Sequence, residues 1–303
     1  MQRKNILTGP GAVTFNSVVM HDADGISVDI DSATQDIQSS VSGKIDTIKT
    51  DQQGKVAFTP CGVVSAEILA ALYPHQAPLI GSRIFGAADV PLIINGTDGK
   101  QVTFMNAALT QVPDLQLSTV KTAFGQAEFT ALIADNKKPT DADAFYKAAA
   151  AAYASGFPDP VGITGTPYNA AFGSMLLPDT LDGWTVNVDL SLQPVPTDNT
   201  GTVDMILTDV VVRASCTPLG KSAEEILAAL PVPKLRGAST RTSSDLVITG
   251  EGGGLAVTLF NAALVTGPLK WGSTDLRIGQ LGFVAHRKPA TGQLYSVALA
   301  EKK

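Results

Sequence analysis

"TPCGVVSAEILAALYP", from Thr59 to Pro74, and "TPLGKSAEEILAALPVP", from Thr217 to Pro233, occur in the same 303-residue chain. At this offset of 158, residues 43–72 align with 201–230 without a gap. Identities fall at Gly43, Asp46, Ile48, Thr50, Asp51, Thr59, Pro60, Gly62, Glu67 and throughout Ile68–Leu72, which is 14 of 30 positions. Upstream, "DGISVDID" at Asp24 matches "DGWTVNVD" at Asp182. Downstream, "VTFMNAAL" at Val102 matches "VTLFNAAL" at Val257, and "FGQAEF" at Phe124 matches "IGQLGF" at Ile278. The blocks keep their order, so a whole domain of about 150 residues is duplicated, far longer than the roughly 20–50 residues of a solenoid repeat. The expected domains are 1–156 and 157–303.

Within the repeated stretch, Pro ends a strand and Gly permits an unusual backbone angle, so Thr-Pro-x-Gly reads as a strand end turning into a helix. Ser65 and Ser222 are candidate N-caps, and Ser222 with Glu225 forms a capping box. Ile68, Leu69 and Leu72 give one apolar face, and Pro74 and Pro231 end the two helices. The surrounding segments read as strands. "GISVDID" places Val28 and Ile30 on one face and Ser27, Asp29 and Asp31 on the other. Hairpin turns are expected at Gly96–Gly99 and Gly250–Gly254. A polar hairpin over 32–58 and its partner over 190–216 are longer than tight turns require. The fold class is therefore mainly β with flanking helices: two tandem β-sandwich or barrel domains. One segment breaks the symmetry. "DADAFYKAAAAAYASG" predicts an extra helix over 141–155 by propensity, with no counterpart in the second copy. The Pro- and Gly-rich stretch that follows reads as the interdomain linker.

Composition narrows the function. Hydrophobic residues make up 44% and charged residues 17%, so a real core can form. Net charge is -6, which disfavours tight nucleic-acid binding, because such binding draws its affinity from Lys and Arg on phosphates. The two cysteines, Cys61 and Cys216, fit no metal pattern and read as free thiols. No apolar leader or membrane-length apolar run is visible, so synthesis in the cytoplasm without a membrane anchor is expected. His21, His75 and His286 have no His at the aligned positions of the other copy. "GEGGG" at Gly250 lacks the GK[ST] ending of a phosphate loop. The expectation is a protein that is not an enzyme, with no catalytic, metal-binding or cofactor-binding residues.

Three features resemble the tail tube (major tail) proteins of long-tailed bacteriophages. They are "GPGAVTF" leading to an alternating strand and a "GKID" hairpin; "TPCG" running into "SAEILAALYP"; and "NAALTQVPDLQLSTVKTAFGQAEFTALI" from Asn106 to Ile133. The second copy echoes the last as "NAALVTGPLKWGSTDLRIGQLGFVA". The resemblance implies stacked rings forming a hollow tube, and its tandem-duplicated type implies homotrimers with six quasi-equivalent domains. Each domain would give about four strands to an inner barrel. About 24 strands, ~4.8 Å apart and tilted ~40°, give a circumference near 150 Å, wide enough for duplex DNA.

The resemblance further implies a virion location and transient passage of DNA. Its expected partners are other copies of the chain and other tail proteins (tape measure, terminator, baseplate). Acidic residues would suit such a lumen, since they repel phosphate. Candidates on the alternating strands are Asp29, Asp31, Asp46, Asp51, Asp189, Asp204 and Asp209. Ordinary solvated positions on the outside remain the competing reading for them. The long hairpins are candidates for ring-to-ring stacking. The alternatives are a phage decoration or baseplate hub protein, and a two-domain carbohydrate-binding module.

Overall fold

The computed structural model describes residues 11–62, 64–86, 89–96, 99–119, 122–134, 145–150, 167–197, 201–219, 244–251, 254–266, 269–271 and 276–300. The first half contributes β1 (Gly11–Phe15), β2 (Val18–Asp22), β3 (Ser27–Ser39), β4 (Gly43–Phe58), β5 (Pro60–Cys61) and the helix α1 (Ala66–Leu72). It continues with β6 (Leu92–Gly96), β7 (Lys100–Phe104), β8 (Asn106–Gln111), β9 (Leu115–Leu117), β10 (Thr122–Phe124), β11 (Ala127–Leu132) and β12 (Tyr146–Ala150). The second half contributes β13 (Tyr168–Phe172), β14 (Met175–Leu176), β15 (Thr180–Thr197), β16 (Gly201–Pro218), β17 (Leu246–Gly250) and β18 (Leu255–Leu259). It ends with β19 (Ala263–Thr266), β20 (Leu269–Trp271), β21 (Leu276–Ile278), β22 (Leu281–Val284) and β23 (Tyr295–Leu299).

The chain is mainly β, and its sheets repeat. One sheet of the first half runs β12-β7-β6-β1-β2-β5, and its counterpart runs β23-β18-β17-β13-β14. The other runs β3-β4-β11-β8, and its counterpart runs β15-β16-β22-β19. Each half is thus two sheets whose alternating apolar side chains meet. The two cores are not separate. One continuous cluster takes in Val13, Phe58, Phe104 and Phe129 from the first half and Trp184, Val212, Phe283 and Tyr295 from the second.

The long hairpins β3–β4 and β15–β16 dominate the strand pairing. In the first, the register skips Thr50 and then Ile45. In the second, it skips Thr208 and then Val203. These are β-bulges, one extra residue on one strand, and they sit at the same repeat positions in both copies. Gly43 and Gly201 begin the return strands with φ of +72° and +73°, a region that glycine enters without a Cβ clash. The hairpin between β6 and β7 turns where the glycines indicate, with the Gly99 N–H donating to the Gly96 carbonyl at 3.2 Å.

The helix α1 begins as its sequence predicts. Ser65 is the N-cap, and its hydroxyl accepts from the Ile68 N–H at 3.3 Å. Leu69 and Leu72 are buried beneath it. The second predicted helix and its cap, Ser222, lie outside the described residues, as do the linker and the boundary near 156.

The described part of the expected helix at 141–155 is a strand. Tyr146–Ala150 pairs antiparallel with β7, and Tyr146 lies opposite Phe104. It also has a counterpart after all: β23 pairs with β18 in the same register, with Tyr295 opposite Leu259. Alanine favours a helix by only a few tenths of a kcal/mol per residue over most alternatives, and an open sheet edge with a buried anchor outweighs that. The anchor is Phe145, which is buried with its ring edge-on to Phe104 at 5.5 Å. Phe145→Ala should therefore lower the unfolding free energy by about 3–5 kcal/mol, the range for emptying a core aromatic site. Urea denaturation measures it, and a near-neutral result would mean that the segment does not anchor the sheet.

Candidate assembly surface

The two halves join by strand addition. β9, from the first half, pairs antiparallel with the outer edge of β15, placing Leu117 opposite Trp184, Gln116 opposite Thr185 and Leu115 opposite Val186. Leu115 and Leu117 are fully buried while Gln116 is exposed, the period-two pattern of a sheet with one covered face. β10 backs β9 in turn, so the first half extends the second half's sheet to β10-β9-β15-β16-β22-β19. Gly183 permits this close approach. A Cβ there would stand 2.1 Å from the Leu117 carbonyl oxygen.

A loop of the first half runs along the far part of β16. The Gly81 N–H donates to the Leu207 carbonyl at 2.8 Å, the Leu207 N–H to the Ser82 carbonyl at 2.9 Å, and the Ile84 N–H to the Met205 carbonyl at 2.9 Å. The tip of the second hairpin rests on the first. Asp51 accepts from the Thr202 N–H at 3.1 Å and from its hydroxyl at 3.0 Å, and Gln53 Nε2 donates to the same hydroxyl at 3.1 Å. A Cβ on Gly201 would meet Asp51 Oδ1 at 2.3 Å. The residue that follows α1 completes the junction. Tyr73 meets Tyr295 edge-on at 6.5 Å, and its hydroxyl donates to the Pro113 carbonyl at 2.9 Å. Burial pushes both phenols up, so both stay protonated.

This junction is heterologous: one set of positions on the first half meets a different set on the second. The set used on the second half also exists on the first, where several of its members are uncovered among the described residues. Tyr295 is 0% exposed and its counterpart Tyr146 is 40% exposed. Val195, Val203 and Ile206 are half-buried, whereas their counterparts Ile37, Ile45 and Ile48 are exposed. Gly183 and Gly201 are crowded by the first half. Gly25 and Gly43, with the same left-handed φ, have nothing within 4 Å among the described residues.

The seven acidic candidates separate under this geometry. Asp29, Asp31, Asp46 and Asp51 share one face of β3–β4 by register. Asp31 and Asp46 are exposed, and Asp29 is half-buried. Asp51 is half-buried and occupied by Thr202. Asp189 is exposed and paired with Arg213 on the neighbouring strand. Asp209 is exposed on β16. Asp204 departs from the expectation of an open acidic face. It is 3% exposed, ion-paired to Arg83 Nε at 3.2 Å, and accepts from the Phe85 N–H at 3.4 Å.

A local reason accounts for four of these acids. Asp46, Asp51, Asp204 and Asp209 each follow a bulged residue and accept the next N–H, at 2.7, 2.8, 2.7 and 2.9 Å. Their recurrence in both copies is a requirement of bulge geometry before it is one of charge. In the second hairpin, expected for ring-to-ring stacking, residues 201–207 dock on the first half. The strand addition by β9 was not read from the sequence. Its only signal there was the alternation of Leu115 and Leu117 after Pro113.

A groove of about 480 Å³ beside α1 is lined mainly by carbon, from Phe15, Val18, Ala70, Ala71, Ile84 and Leu109. Burial lowers the His75 pKa at its rim. Cys61 and Cys216 are free thiols, and burial pushes the Cys216 pKa up to about 12, which suppresses the reactive thiolate. Among the described residues no group of three or more His, Cys, Asp or Glu gathers, and no helix is long and apolar enough to cross a membrane. No protein-family model matches the chain, and no curated protein does.

The repeat supplies a matched pair of substitutions. Asp204→Ala strands buried N–H groups at the junction and should cost about 1–3 kcal/mol. Asp46→Ala removes the same side chain from an exposed site and should cost less than about 1 kcal/mol. Equal costs by chemical denaturation would refute the difference in environment.

Proposed function

We propose that the protein is a structural subunit of a bacteriophage tail tube, in which three chains close a ring of six related domains and the rings stack into a conduit for DNA. The observation that carries this reading is the heterologous junction within the chain. A head-to-tail contact between two copies of a domain leaves one free face at each end of the pair. Such contacts propagate until they close, so they build rings or filaments and not two-fold dimers. Fusing two domains in one chain makes every second contact intramolecular. A six-domain ring then needs three chains.

The four-strand sheets built on the two long hairpins also suit the role. Each is a ready-made sector of a barrel, and closing a barrel removes exposed sheet edges. Asp29 and Asp31 stand on the polar face of the first sector, and a face of this kind toward the lumen would keep DNA from adhering. The proposed location is the virion. The proposed partners are further copies of the chain and the tape measure, terminator and baseplate proteins, with DNA passing through but not held.

Negative-stain electron microscopy of the concentrated protein tests the reading. Six-lobed rings with a central hole, alone or stacked, are expected. A protein that remains monomeric at every concentration, or one that forms only closed two-fold dimers, would sink the proposal. The first hairpin gives a sharper handle. Its turn carries Val41 at 93% exposure, with no inward packing to lose. Deleting Ser39–Ser42 should leave the circular dichroism spectrum unchanged and stop assembly. Tubes of normal length from this variant would remove the hairpin from the assembly contacts.

A further inference from the structure

We infer that chains associate by strand addition, with the β20–β21 hairpin of one copy pairing onto the β3 edge of the next. This rests on the head-to-tail part of the proposed function and deepens it by naming the contact and its register. It requires neither a lumen nor DNA.

Two hairpins of the chain are the same object. Between "NAAL" and "GQ", the segments 110–124 and 265–278 align with a single deletion at Asp114. β9 then corresponds to β20, and β10 to β21. Their internal registers agree at every pair. Leu115 lies opposite Phe124 as Leu269 lies opposite Ile278, Gln116 opposite Ala123 as Lys270 opposite Arg277, and Leu117 opposite Thr122 as Trp271 opposite Leu276. Their surroundings differ. β9–β10 is built into a six-stranded sheet through β15, whereas β20–β21 forms a two-stranded sheet joined to no other among the described residues. A two-stranded ribbon of three-residue strands is not stable alone in water, so its geometry suits a partner.

The other side of the contact is the counterpart of the β15 edge. Ile26, Ser27 and Val28 occupy the repeat positions of Trp184, Thr185 and Val186. β3 is the terminal strand of its sheet among the described residues, as β15 would be without β9. Gly25 keeps the left-handed backbone of Gly183, at φ of +106° against +82°, with nothing among the described residues within 4 Å where Gly183 meets the Leu117 carbonyl. The occupant is therefore a second copy of this chain, and the register follows by equivalence: Ile26 opposite Trp271, Ser27 opposite Lys270 and Val28 opposite Leu269. The bare face around this edge, with Tyr146 and the tip of the first hairpin, extends the contact as Tyr295 and the second hairpin tip do inside the chain. Asp209 would then receive Lys44 of the neighbouring copy, as Asp51 receives Thr202.

Paired cysteines test the register. With Cys61 replaced by Ser, Ser27→Cys and Lys270→Cys are introduced together and the concentrated protein is oxidised or bridged with a short bismaleimide. Gln116→Cys with Thr185→Cys is the internal control, since the same two positions face each other within the chain. Expected are covalent dimers and trimers from the first pair, absent from either single variant, and an intrachain bond from the control. The inference is overturned if the control bonds while the first pair gives no interchain species, or gives only a bond within one chain. Deleting residues 1–10 from the first-pair variant checks a competing occupant. Interchain bonding that appears only after the deletion would assign the edge to the chain's own N-terminal segment and overturn the inference for the intact protein. Microscopy of the same samples separates the two proposals. Bonded chains without rings keep this contact and remove the ring, whereas rings without bonds keep the ring and remove this contact.

Discussion

Three residues hold the architecture together. Leu115, Gln116 and Leu117 leave the first half of the chain and complete a sheet edge in the second. A strand edge is a row of unpaired donors and acceptors, and it is stable only when something meets it. Because the edge of β15 is met by a segment from the other half, the two sandwiches cannot be treated as beads on a linker. Their cores run into one cluster, the loop at Gly81–Ile84 follows β16, and Tyr73 beyond the first helix rests on Tyr295. Each of these contacts presupposes the angle between halves that β9 sets.

Much of this was legible in the sequence, and the exceptions have physical causes. The duplication was plain because identities cluster where backbone geometry restricts the residue: Thr-Pro-x-Gly, the helix cap, the glycines of the turns. Local rules read these well. Ser65 caps α1 because capping depends on a few neighbouring atoms. The alanine run after Phe145 was misread for the complementary reason. Its conformation is decided by β7, more than 40 residues earlier, and no local preference reports that. The strand addition by β9 is long-range in the same sense, and three residues are too few to carry a periodic signal.

The acids teach a narrower lesson. Asp46, Asp51, Asp204 and Asp209 recur in both copies, which invites a reading in terms of charge. In the fold each follows a bulge and ties down the next N–H, so recurrence reflects backbone geometry. What differs between the copies is the use made of the outer lone pairs. Asp51 holds Thr202, Asp204 holds Arg83, and Asp46 and Asp209 face outward. Repetition within a chain identifies what a fold requires, and the differences between the repeats identify where function has been added.

The covalent tie between the two halves has a kinetic consequence. The junction within the chain forms at an effective concentration fixed by the tether, so dilution cannot undo it. A contact of the same design between separate chains obeys mass action and requires a threshold of protein. In the proposed assembly the two junctions are free to diverge, and their residues differ: Trp184 fills the inner one where Ile26 would stand at the outer, and Thr202 sits where Lys44 would. A subunit built this way folds with one contact already made and permanent. The proposed contact between chains would remain adjustable, and growth would wait until chains had accumulated.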